Sequence, residues 1–306
     1  MAPALWCAPR RRSEPPAREP WLTPSASLSK PRFGTACFAG NRTMLFPTAE
    51  RIIPEHSDSE DGRLMYLRHL FAYEEVARRL PPETLVLDIG CGEGYGTDLL
   101  ARRVQRAEGI DVDAAAIDHA EQTYGRDTCH YQVYDGVCIP FPAGAFDAAV
   151  TCQVIEHVVD DTGFISDASR VLRSGGLFIV TTPNRLLRLA PGQRPWNRYH
   201  VREYAPDELH ELLAPHFAAV ELLGVTGDAN AQAHELARLA WVRRTVTRDV
   251  LGLRRLLPEG MKRRILGVLR GARGQPGSVV AGWTTERYRL TNDASESLDL
   301  FAVCSR

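Results

Sequence analysis

The chain has 306 residues, 44% of them hydrophobic and 25% charged, enough for one large α/β domain with additions rather than several small ones. A formal net charge of -1 excludes a global electrostatic case for nucleic-acid or membrane binding, so such a partner would need a local patch. No apolar run is long enough to cross a bilayer, and seven cysteines without a C-x-x-C pair read as reduced, mostly buried thiols of a cytoplasmic protein. Lysine occurs only at Lys30 and Lys262 against abundant arginine, which reads as a coding bias and not as a binding signature.

Residues 1–43 are rich in Pro, Arg and Ser without helical or strand periodicity, and are expected to be a disordered extension. No apolar stretch follows Arg10-Arg11-Arg12, which argues against a secretory signal and leaves a transit peptide as the minor alternative. Met44 stands directly before the first fold element and is the expected start of translation.

From Arg63 to Leu80 the apolar positions Leu64, Leu67, Leu70, Phe71 and Val76 recur at helical spacing, and Pro81-Pro82 stops the helix. Leu85-Val86-Leu87 is the apolar run of a strand buried on both faces, and it leads straight into Asp88-Ile89-Gly90-Cys91-Gly92-Glu93-Gly94. Alternate glycines let the backbone turn tightly and approach a ligand, and a helix starting near Gly94 presents free N–H groups to it. The loop closes as Gly94-Tyr95-Gly96-Thr97 without a lysine, which disfavours a nucleoside triphosphate. Asp88 at the strand tip disfavours a dinucleotide, because an acid there repels a pyrophosphate but suits ammonium and sulfonium groups. A second strand over Ala107–Asp113 ends in an acid a little over ~20 residues on, the distance at which a βαβ unit sets a carboxylate, here Asp111, against a ribose diol.

The glycine loop resembles motif I (D/E-x-G-x-G-x-G) of the class I S-adenosylmethionine-dependent methyltransferases. Tyr134-Asp135-Gly136, then Ile139-Pro140-Phe141-Pro142 and Ala145–Cys152, is similar to that family's D-x-x-x-LPF-x-x-x-x-FD-x-V passage. Val171-Leu172-Arg173-Ser174-Gly175-Gly176 resembles its turn into the fifth strand, and Leu298–Val303 its closing strand. The order of these motifs is more specific than any one of them. The resemblance implies S-adenosylmethionine as cofactor, held by Asp88, Gly90, Cys91, Gly92, Gly94, Asp111, Val112, Asp135, Gly136 and Gln153, with Asp135 on the adenine amino group. It also implies a Rossmann-like, doubly wound, mostly parallel seven-stranded sheet with an antiparallel last strand. The organisation expected is residues 44–80 as a helical cover, 81–227 as the core, 228–290 as a basic helical insertion and 291–306 as the closing strand. Similar enzymes carry a polar pair in the cover helix where this chain has Arg68-His69, which could meet the cofactor's carboxylate.

Methyl transfer from a sulfonium needs alignment and exclusion of water, plus a base where the acceptor is a hydroxyl. Candidates follow the fourth strand at Glu156 and His157, and His200 lies in a loop beyond the fifth, on the same carboxyl edge of the sheet. Gln153, Glu156, His157 and His200 together resemble the E-x-x-E-H…H magnesium site of small-RNA 2′-O-methyltransferases and, in part, that of quinone-precursor O-methyltransferases. Glutamine in place of the first glutamate weakens a hard-cation site, so a histidine base is preferred to a metal. The N/D-P-P-Y route to nitrogen is disfavoured, since Thr151-Cys152-Gln153-Val154 stands in its place.

After a sixth strand over Phe217–Leu223, two amphipathic stretches form a basic excursion between 236 and 273. Leu236, Leu239, Val246, Val250 and Leu253 line one side of the first; Arg238, Arg243, Arg244 and Arg248 take others. A solvated lid, a phosphorylated acceptor or an anionic membrane surface would all suit it. The leading expectation is an O-methyltransferase of the small-molecule or sugar type, acting on a small molecule or a sugar unit of a glycoconjugate. A metal-dependent RNA 2′-O-methyltransferase, though nucleic acid is disfavoured as a partner, and a non-catalytic cofactor-binding protein are the alternatives.

Overall fold

The computed structural model describes residues 60–247, 280 and 282–306. The expectations for residues 1–43 and for most of the basic excursion, including Val250, Leu253 and Arg248, lie outside them.

The cover helix α1 (Glu60–Arg79) forms where the helical spacing placed it, and ends before Pro81, whose ring disfavours helical backbone in the residue ahead of it. Leu64, Leu67, Phe71 and Val76 are buried as expected, while Leu70 is half-buried. The first half of the sheet consists of β1 (Leu85–Ile89), β2 (Arg106–Asp111), β3 (Cys129–Val133), β4 (Phe146–Cys152) and β5 (Leu172–Pro183), linked by α2 (Tyr95–Ala101), α3 (Ala114–Tyr124) and α4 (Asp161–Val171). The second half follows α5 (Arg185–Arg188) and α6 (Pro206–Leu213); it comprises β6 (Ala219–Gly227), then α7 (Ala229–Thr247), β7 (Tyr288–Thr291) and β8 (Asp299–Ser305).

The strand order is β3-β2-β1-β4-β5-β8-β6-β7. Neighbours from β3 to β5 pair in parallel, and β8 runs antiparallel to both β5 and β6. An eighth strand, β7, pairs antiparallel with the far edge of β6. Seven strands were expected, and residues 288–290 had been placed in the insertion. Four residues with one buried side chain, Tyr288, carry too little alternation to announce a strand; its partner strand supplies the hydrogen bonds.

Side chains alternate across the sheet, so each strand feeds two cores. Val86 packs with Leu64, Leu67, Phe71 and Phe301 on the α1 side, and Leu87 and Ile89 pack with Ile165, Phe178 and Leu209 on the other. Val86, Leu87 and Ile89 are fully buried, each stabilising the fold by about 1.5–3 kcal/mol relative to exposure. The same alternation turns Asp88 toward α1. The order reverses between β1 and β4, and there the loops at the carboxyl ends diverge to opposite faces and open a crevice.

Arg68 of the cover helix turns into the interior. It is buried and paired with Glu235 of α7 at 3.1 Å and Asp299 of β8 at 3.0 Å, clamping the cover helix to two distant elements, while His69 meets the Tyr95 hydroxyl at 3.3 Å. In α7, Leu239 is buried as expected, but Leu236 is exposed, and Arg243 donates to the carbonyls of Arg188 and Leu186 instead of lying in solvent. Cys91, Cys129, Cys152 and Cys304 are buried thiols. Among the described residues no helix is long and apolar enough to cross a membrane.

Candidate active site

The loop after β1 is built on backbone geometry that side chains resist. Gly90, Gly92 and Gly94 have φ of 79°, 53° and 86°, all left-handed. A Cβ on Gly90 would come within 2.5 Å of Val154, so the loop packs directly on the segment after β4. A Cβ on Gly92 would meet nothing within 4 Å, which leaves that backbone open to an incoming group. Gly90 and Cys91 donate to the Ile110 carbonyl, and Gly92 donates to Asp111 Oδ2 at 2.9 Å. Asp111 Oδ1 accepts from Asp113 N, so this carboxylate is aimed by its own turn at the tip of β2, and burial raises its carboxyl.

Asp88 behaves differently from expectation. It is fully buried beneath the loop, with Tyr73 Oη 3.2 Å from both its oxygens and Thr97 Oγ1 donating at 2.7 Å. Burial pushes its carboxyl up to about 7, against the pull of these two hydroxyls. It braces the loop from below through these two hydroxyls. Asp135 is exposed, and its Oδ1 caps a turn by accepting from Val137 N and Cys138 N beside Gly136, whose φ is 72°. Val112 is half-buried against the second core, and Cys91 is buried, its thiol raised by burial and then by Asp88 and Asp111. Sequence reasoning missed Tyr134. Its hydroxyl is buried without a hydrogen-bond partner among the described residues, and after burial itself the charges of Asp111 and Asp135 raise it. An orphaned phenol beside two carboxylates fits a nucleoside, whose ribose and base supply the missing partner.

The acceptor side begins at Gln153, the one described non-glycine residue with positive φ, 58°. Backbone held in a sparsely populated region is a mark of functional loops. Gln153 N donates to the Thr181 carbonyl and its amide lies 3.4 Å from Thr181 Oγ1, tying it to β5. Ile155–His157 then makes one 3₁₀ turn. Glu156 is buried there; Thr182 Oγ1 donates to it at 2.9 Å, and burial raises its carboxyl against the opposing pull of His157 and His200. Its carbonyl accepts from Val201 N and Arg202 N, which stitches the His200 loop onto the turn.

The two imidazoles meet edge to face with centroids 4.8 Å apart. His157 Nδ1 lies 3.1 Å from the Tyr199 carbonyl, and His200 Nδ1 lies 2.7 Å from Glu203 Oε1. A carbonyl and a carboxylate only accept, so each ring carries a proton on Nδ1. Glu156, His157 and His200 each offer one ligand atom, all within 4.8 Å of one another, a donor set that fits a divalent cation. Glu203, which no motif singled out, is buried and receives Arg188 Nε at 3.0 Å on its other oxygen; Arg188 in turn stacks on Trp196 at 4.2 Å. Beside this loop opens a cavity of about 600 Å³ whose lining includes Asp161, Arg185, Arg194, Val201, Glu208 and Glu211.

Residues 87–180 match the family described as a methyltransferase domain. A probable S-adenosylmethionine-dependent methyltransferase of Mycolicibacterium smegmatis is 40% identical over 181 residues, covering 58% of this chain and 67% of that protein. A ubiquinone biosynthesis O-methyltransferase of Caulobacter vibrioides is 32% identical over 159 residues, 45% of this chain and 61% of that protein. The alignments thus span about two thirds of the length of these curated relatives, or a little less. Among solved structures, a Thermotoga maritima protein described as an S-adenosylmethionine-dependent methyltransferase, possible histamine N-methyltransferase, superimposes with a TM-score of 0.52 over 79% of this chain and 91% of its own, at 14% identity, a likeness of fold alone.

Proposed function

We propose hydroxyl methylation as the reaction of this chain, which belongs to the class I S-adenosylmethionine-dependent methyltransferases. The cofactor of that family is S-adenosylmethionine, and the open backbone at Gly92, the aimed carboxylate of Asp111 and the orphaned Tyr134 hydroxyl fit it. When bound, it would supply an electrophilic methyl carbon for an acceptor oxygen to attack in line, a C–O bond forming as the C–S bond breaks and its electron pair stays on sulfur.

The observation that carries the oxygen assignment is the pair of imidazoles with Nδ1–H anchored, at the sheet edge where Val154 joins the donor loop to Glu156. An acceptor hydroxyl loses its proton as its oxygen takes the methyl group, and we assign His200, with His157 beside it, as the group that receives that proton. Buried Glu156 stabilises the imidazolium that results. The acceptor we favour is a small molecule or a sugar unit of a glycoconjugate. In the neighbouring cavity Arg185 pairs with Glu208, Arg202 with Asp161 and Glu203 with Arg188, leaving Arg194 and Glu211 as opposite charges. Such a lining gives no net attraction to either sign of ion, and offers both donors and acceptors to a polyhydroxylated ligand.

Incubation of the protein with deuteromethyl cofactor and a cell extract, followed by mass spectrometry, should place the label on oxygen of a small hydroxylated species or sugar. Label on nitrogen or carbon would overturn the reading. A second reading rests on the same three side chains: Glu156, His157 and His200 would hold a divalent cation, which lowers the pKa of a bound hydroxyl. Activity abolished by EDTA and restored by a divalent metal would favour it over a histidine base.

A further inference from the structure

We infer that Glu203, locked by Arg188, is a positioning residue that holds His200 in the one tautomer able to take a proton from the acceptor. The inference rests on the hydroxyl-methylation reading for its catalytic consequence, but the Nδ1 proton facing Glu203 follows from geometry.

The chain of contacts has a direction. Arg188 Nε can only donate, and it occupies Glu203 Oε2 at 3.0 Å. That leaves Oε1 to His200 Nδ1 at 2.7 Å, a charge-assisted hydrogen bond between side chains 0% and 5% exposed. The guanidinium is itself 8% exposed and pinned against Trp196, so it has little freedom to choose another acceptor. Glu203 is also held in sequence, because Asn184 and Tyr204 bridge the loop to the end of β5 and Arg185 N donates to the Tyr204 carbonyl. A carboxylate so fixed does two things to the imidazole. It keeps the ring proton on Nδ1, which makes Nε2 the acceptor, and it stabilises the imidazolium formed when Nε2 gains a proton.

Glu203→Gln separates this role from a merely structural one. The amide keeps the shape of the carboxylate but has one oxygen and one NH2, and Arg188 claims the oxygen. The NH2 then faces His200 Nδ1, which must become the acceptor, and the ring proton moves to Nε2. The expected result is a kcat lower by roughly 10²–10⁴-fold, with the KM for acceptor and the affinity for cofactor unchanged. Two-bond proton–nitrogen NMR spectra of ¹⁵N-histidine protein should show His200, assigned by its absence in His200→Gln, as the Nδ1–H form in the wild type and the Nε2–H form in Glu203→Gln. Glu203→Asp, which restores the carboxylate, should restore the Nδ1–H form and most of kcat.

An Nε2–H signal in the wild type, or unchanged kcat in a Glu203→Gln protein that still binds cofactor, would overturn the proposal. If Glu203→Gln does not fold, the wild-type spectrum decides. If the enzyme methylates no hydroxyl but His200 is the Nδ1–H form and switches in Glu203→Gln, the oxygen reading fails while the positioning assignment stands.

Discussion

Replacing Asp88 by asparagine tests how the donor loop is braced. The Asp88 carboxyl has moved from 3.8 to about 7 because burial is opposed by nothing stronger than the Tyr73 and Thr97 hydroxyls. A raised carboxyl is a stability statement with a definite sign. The native state holds this proton more tightly than the unfolded chain, so its contribution is fully present below 3.8 and is lost as pH rises through 7. Asparagine carries no such dependence. Linkage over the interval gives a stability difference, Asp88→Asn minus wild type, that grows by about 2–3 kcal/mol between pH 5 and pH 8. The buried NH2 of asparagine lacks a matched acceptor and costs about 1–3 kcal/mol, but at every pH alike, so it shifts the curve without tilting it. Urea unfolding of the cofactor-free proteins at a series of pH values measures the difference directly. A difference that is flat, or that shrinks toward pH 8, would refute the claim that Asp88 is a buried carboxyl without a cationic partner. The same argument predicts that cofactor, which brings ammonium and sulfonium charge above the loop, expels the Asp88 proton and binds more tightly at pH 8 than at pH 6.

Asp111→Ala removes the acceptor of Gly92 N and Asp113 N together, and calorimetric titration should show cofactor affinity lower by roughly 10–100-fold; undiminished affinity would remove Asp111 from the donor site. Gly90→Ala puts a Cβ at φ 79° and 2.5 Å from Val154, so denaturant unfolding should register about 1–3 kcal/mol of destabilisation, with Val154→Ala in the same chain recovering the steric part alone. Arg68→Met leaves Asp299 buried without its ion-pair partner while Glu235 keeps Arg238, and should cost about 3–5 kcal/mol in urea. A cost near zero would mean that the clamp between cover helix, α7 and β8 is dispensable.

What could be read along the chain and what could not divide by distance. The glycine loop, the strand tips at Asp88 and Asp111 and the helix of α1 are short-range patterns: φ-permissive residues at fixed spacing, apolar runs, a period of 3.6 ended by proline. Glu156, His157 and His200 could be grouped because a parallel sheet collects its loops at one edge, and Gln153 joined them through the resemblance to a magnesium site. Where charges are paired is another matter. Arg68 looked available to a cofactor because its partners lie at Glu235 and Asp299, far along the chain. Leu236 looked apolar-facing because a periodicity names a stripe but not which flank of the stripe meets a neighbour. The hydrogen bond from Tyr73 of the cover helix to Asp88 is announced by no motif.

The donor was legible along the chain: glycines at alternate positions after a buried strand, with acids at successive strand ends, are local chemistry that suits S-adenosylmethionine better than a triphosphate or a dinucleotide. Which acids are buried against partners, and which histidine nitrogen faces a fixed acceptor, came from folding. Burial and hydrogen-bond partners belong to pairs of residues from distant parts of the chain, and Arg188, Glu203 and His200 become one device only when α5 and the loop beyond it fold back onto the edge of the sheet.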